Sequence, residues 1–101
     1  MRLKLVGGHA GEPYILPLDS PLVQAGLNAL KDAFGHEPVS IREGGSIPIV
    51  TDFKKILGAD SLLLGLALPD DNLHSPNEKF HLENLYKGMD MSVRLWQELG
   101  A

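Results

Sequence analysis

The chain has 101 residues, of which 44% are hydrophobic and 22% charged, with a net charge of −4 and no cysteine. That suits one small globular domain, excludes a disulfide framework or thiolate site, and with no basic cluster makes nucleic acid a poor partner. No apolar run approaches the roughly 18 to 20 residues of a membrane span, and Met1 to Gly7 is too short and wrongly flanked for a signal peptide, so the expected setting is cytoplasmic.

Leu3 and Leu5 alternate with Arg2 and Lys4 before Val6 and Gly7-Gly8, which predicts a short strand with one buried face. His9 to Pro13 reads as a loop, and Tyr14 to Leu18 as an extended stretch broken by Pro17. Asp19-Ser20-Pro21 is a helix start: a capping oxygen, then proline at the first helical position. Val23, Leu27, Leu30 and Phe34 follow at helical spacing, and Gly35 is a C-terminal stop. Glu37 to Arg42 is a second candidate strand, so residues 1–42 read β-α-β.

Gly44-Gly45-Ser46 breaks the pattern, and Ser46 can cap a helix carrying Ile49 or Val50, Phe53, Ile56 and Leu57, which Gly58 stops. Ser61 to Leu68 has almost no polar alternation, as in a strand buried on both faces of a parallel sheet. A polar loop, Pro69 to Phe80, leads to a last helix marked by Leu82, Leu85, Met89, Val93 and Trp96, of which the Met89, Val93, Trp96 stripe is expected to be core. Residues 43–101 therefore read α-β-α. The class is α/β, but three strands at most must serve three helices, and Leu62 to Leu68 lacks strand neighbours of its own. This is the pattern of a piece of a larger α/β protein, with a domain boundary near Arg42 to Ser46.

Two stretches could carry chemistry. His74 lies among Asp70, Asp71, Asn72, Asn77 and Glu78 after the apolar run. Neutral imidazole suits zinc, and a carboxylate can fix its tautomer, but zinc takes several protein ligands and no paired-histidine spacing exists here. The same residues also suit a solvated turn shaped by Pro76 and Asn77. In Arg42-Glu43-Gly44-Gly45-Ser46-Ile47-Pro48, bare backbone N–H groups ahead of a helix can take a carboxylate or phosphate, with Ser46 adding a hydroxyl and Glu43 meeting an amine. The alternative is a helix cap and a glycine hinge. His9 in its Gly-Gly-His-Ala-Gly loop can bond an anion or simply face water. His36, His81, Glu83 and the Lys54-Lys55 pair read as solvated positions.

R-E-G-G-S-I-P-I, followed after a gap by G-L-A-L-P-D-D-N-L-H-S-P-N-E-K-F-H-L-E-N, resembles the C-terminal end of the zinc dipeptidase and aminoacylase family, peptidase family M-twenty, nearest its carnosinase-like dipeptidase branch. H-A-G-E-P-Y, Pro21, Gln24-Ala25-Gly26, Ala29-Leu30-Lys31, Phe34-Gly35 and Glu37-Pro38 extend the resemblance over essentially the whole chain, in order.

The resemblance implies a β-α-β part of a lid domain, which also dimerises, in residues 1–42, and an α-β-α part of the catalytic domain in residues 43–101. His74 matches the family's final zinc ligand. Glu43 matches a residue near the substrate's amine, Gly45 and Ser46 the loop that holds its carboxylate, and His9 a lid histidine reaching the same carboxylate. Two zinc ions activating a water against the peptide bond of a short peptide are implied for the intact enzyme. The bridging aspartate, the other zinc ligands and the general-base glutamate have no counterpart in this sequence, so at most one ligand, His74, and no catalytic residue is expected here. The chain is expected to be inactive alone, and to associate with copies of itself or with the missing N-terminal part. The rival readings are a non-catalytic α/β module binding an anion or a protein, and part of a related amidohydrolase or deacylase.

Overall fold

A computed structural model describes residues 1–7, 12–42 and 47–100. They form two compact units interleaved along the chain: Met1–Leu16 with Ile41–Ser61, and Pro17–Ser40 with Leu62–Ala101.

The second unit is built from two helices. α1 spans Pro21–Phe34 and begins as the sequence dictates: the Ser20 hydroxyl accepts the Leu22 N–H at 3.3 Å, and Pro21 takes the first turn. It ends at Gly35, whose left-handed backbone (φ 79°) lets its N–H reach the Lys31 carbonyl at 2.8 Å. α3 spans Leu82–Gly100 and packs against α1. The core of this unit is small-sided, with Val23, Ala25, Gly26 and Ala29 from α1 and Gly88 and Met91 from α3.

The glycines explain how the helices close over Leu62–Leu68. A Cβ at Gly26 would stand 2.5 Å from Leu62 Cδ2, and one at Gly88 would collide with Leu66 Cδ1. Along this run Leu62, Leu64, Leu66 and Leu68 are half-buried, while Leu63, Gly65 and Ala67 are exposed. That period of two is the signature of extended backbone with one face covered. Asn84 Nδ2 of α3 donates to the Leu66 carbonyl at 3.0 Å.

The described residues do not confirm the expected α/β architecture: their regular elements are helical. Among the described residues there is no β-ladder, and the stretches read as strands (Leu3–Val6, Tyr14–Leu18, Glu37–Arg42, Ser61–Leu68) have no pairing partner. A strand exists through its neighbours, and Leu62–Leu68 has helices over one face with nothing beside it. The expected core stripe of α3 is also corrected. Leu82, Leu85, Met89, Val93 and Trp96 are all exposed, Trp96 to 74%. The helix rests on its narrow Gly88–Met91 side, which permits a closer approach than the bulky stripe.

In the first unit, α2 spans Ile49–Asp52 and continues as a π-helical turn over Phe53–Leu57, ended by Gly58 in the left-handed region (φ 65°). Val50 is its buried residue, whereas Ile56 and Leu57, read as part of the apolar face, are exposed. The proposed cap, Ser46, lies outside the described residues. Tyr14 donates to Asp60 Oδ1 at 2.8 Å, Lys54 Nζ reaches the same oxygen at 2.8 Å, Lys55 pairs with Glu12 at 2.6 Å, and Thr51 Oγ1 donates to the Glu12 carbonyl at 2.9 Å. These contacts fasten the 12–14 stretch to the helical segment.

Candidate functional site

The loop after Leu68 is organised by one side chain. Asp71 is buried to 1% exposure, the one buried charged side chain among the described residues. Its Oδ2 accepts the Leu68 N–H at 2.9 Å and its Oδ1 accepts Lys79 Nζ at 2.9 Å. Its own N–H donates to the Leu68 carbonyl at 3.1 Å, and its carbonyl accepts the Lys79 N–H at 3.0 Å. Lys79 also lies 3.1 Å from Asp70. The backbone N–H of Leu68, and next the Lys79 ammonium, hold the Asp71 carboxyl below the ordinary carboxylate range, because both favour its charged form.

Between Leu68 and Lys79 the chain turns tightly. Asn72, His74 and Asn77 all have left-handed backbone, with φ of 55°, 59° and 59°. Asparagine tolerates that region, and histidine less readily. Ser75 N–H and Oγ both donate to the Asn72 carbonyl, at 3.2 and 2.5 Å, and close the turn around His74. The His74 side chain is exposed.

Of the carboxylates that flank His74 in sequence, Asp70 and Asp71 both engage Lys79. Among the described residues no three His, Asp or Glu side chains gather to hold a metal ion. The described donors around His74 therefore do not make a metal site by themselves. The other expected site residues, His9, Glu43, Gly45 and Ser46, lie outside the described residues. His36 packs edge-on to Phe34, with ring centroids 6.5 Å apart, and His81 stands 3.7 Å from Glu83.

Sequence reading missed the pairing of Asp71 with Lys79. Its one local signal was an acidic pair followed eight residues later by a lysine, in a loop with three turn-forming asparagine or histidine positions. Lys54 and Lys55, read as solvated faces, are exposed; the reading did not name their ion-pair partners, Asp60 for Lys54 and the distant Glu12 for Lys55.

Comparison with known proteins matches the model of peptidase family M20/M25/M40 over residues 2–98. The chain belongs to this family. Among curated relatives of this M20 chain, the Cys-Gly metallodipeptidase of Schizosaccharomyces pombe is 36% identical over 92% of the chain and 20% of the relative. The Cys-Gly metallodipeptidase of Saccharomyces cerevisiae is 43% identical over 80% of the chain and 17% of the relative. The Beta-Ala-His dipeptidase of Homo sapiens is 33% identical over 86% of the chain and 17% of the relative. The chain thus spans about a fifth of the length of the relatives it matches. No solved structure matches it. No helix among the described residues is long and apolar enough to cross a membrane.

Proposed function

We propose that this M20 chain is the part of a zinc-dependent dipeptidase that brings one metal ligand, His74, to a centre completed by groups outside these residues. Residues 1–42 would belong to the lid and residues 43–101 to the catalytic domain. The curated relatives that are named as dipeptidases support the substrate class, short peptides. The observation that carries the reading is the presentation of His74: exposed and left-handed, on a loop tied at both ends. The chain's own part is to hold that imidazole in place. His9, Glu43, Gly45 and Ser46 are proposed for the two charged ends of the peptide, on the motif resemblance alone.

Zinc titrated into the chain and into His74→Ala, with heat and oligomeric state followed together, tests the ligand role. A heat that disappears on substitution supports it. A heat unchanged by the substitution sinks it, whereas no heat in either protein is the outcome of an orphaned ligand whose partners lie outside these residues. Turnover of Cys-Gly or β-Ala-His by the pure chain with zinc would overturn the requirement for outside groups.

The same reading expects association. The exposed face of Leu62–Leu68 and the bare stripe of α3 are apolar surfaces that a longer M20 protein, or a second copy, would cover.

A further inference from the structure

We infer that Asp71 and Lys79 are positioning residues for His74: together they close the loop whose left-handed turn presents the imidazole. The inference rests on the proposed role of His74, but the staple itself is a separate claim about geometry. Four hydrogen bonds from Asp71 join the residue before the loop, Leu68, to the residue after its tight turns, Lys79. Both ends of the turn are thereby tied to one buried carboxylate. The three left-handed residues between them oppose that closure, and strained backbone persists where its surroundings over-determine it. The partners are also matched in kind. A buried carboxylate needs both oxygens satisfied, and one backbone N–H and one ammonium do so. Asp70 adds a second, exposed contact to the same ammonium and keeps Lys79 over the loop. The close approaches of α1 and α3 to the Leu62–Leu68 run are at Gly26 and Gly88, away from the staple.

The test is solution NMR on the 101-residue chain, with Lys79→Met as the disrupting variant and Lys79→Arg as the conservative one. In the unaltered chain His74 should give the strong intraresidue amide-to-Hα cross-peak of positive φ. The amides of Asp71 and Lys79 should exchange about tenfold more slowly than that of Leu73. Lys79→Met should abolish the His74 signature and the protection while the α1 and α3 resonances stay in place, and Lys79→Arg should restore both. A His74 signature that survives Lys79→Met overturns the staple. If that variant fails to fold, the unaltered chain still decides, because unprotected Asp71 and Lys79 amides overturn the staple as well. Zinc added to each folded protein separates the two claims. A His74 ring shifted by zinc supports the ligand role, and the signature with its loss in Lys79→Met decides the staple whether or not zinc binds.

Discussion

His74 is held in a backbone region that costs an ordinary residue about 1–2 kcal/mol and glycine nothing. His74→Gly should therefore stabilise the chain by roughly 0.5–1 kcal/mol, part of the relief being offset by glycine's greater freedom when unfolded. Urea unfolding measures this, and a loss of stability would mean that the imidazole makes contacts the structure does not contain. Asp71 bears on acid stability. Its folded pKa is depressed by the Leu68 N–H and then by Lys79, with His81 and Lys79 adding favourable charge. A depressed carboxyl binds fewer protons folded than unfolded, so its contribution is complete above the unfolded value of about 3.9 and fades as pH falls through the lower folded value. Asp60, depressed first by Lys54 and then by Tyr14, has the same sign. Unfolding midpoints measured downward from pH 5 should fall more steeply for the unaltered chain than for Asp71→Asn.

At the helices, the two faces of α3 have opposite expectations. Gly88 is buried where a Cβ would collide with Leu66, and Gly88→Val should cost about 1–3 kcal/mol by overpacking, although rotation of the Leu66 side chain relieves part of it. Val93 lies on the bare stripe, and Val93→Glu should leave stability within about 0.5 kcal/mol. Denaturant titration of both variants compares the faces directly; if Val93→Glu proves the costlier of the two, the assignment of the packed face is wrong. The helical periodicity was legible in Leu82, Leu85, Met89, Val93 and Trp96, and α3 forms there. Which side packs within this chain was not legible, because one glycine and one methionine, Gly88 and Met91, outcompete a larger stripe for contact. The start of α1 was readable to the residue from Ser20-Pro21, since capping is a local hydrogen bond.

For the chain as a whole, apolar surface outruns the means of covering it. Among the described residues the buried hydrophobic side chains are Val23, Ala25, Ala29, Val50 and Met91, while many large ones, Trp96 among them, are exposed. We expect concentration-dependent self-association in sedimentation equilibrium, weakened by Val93→Glu. A clean monomer at high concentration would count against it. The anticipated sheet is not confirmed among the described residues. Leu62–Leu68 has the composition of a central strand and the alternating burial of a strand packed on one side, but its backbone lacks neighbours to pair with.

Family membership was decided by the sequence itself, in the H-S-P-N-E and R-E-G-G-S-I-P motifs and their separation, because motif order survives in a chain that covers a fifth of its relatives. Helix starts and stops and the prominence of His74 were likewise local properties. The tertiary structure alone decided that Asp71 meets Lys79, that Glu12 meets the distant Thr51 and Tyr14 the distant Asp60, and that α3 rests on Gly88. These depend on which groups approach in space. Burial of a charge and closeness of backbones are properties of a packed fold, and no spacing along the chain encodes them.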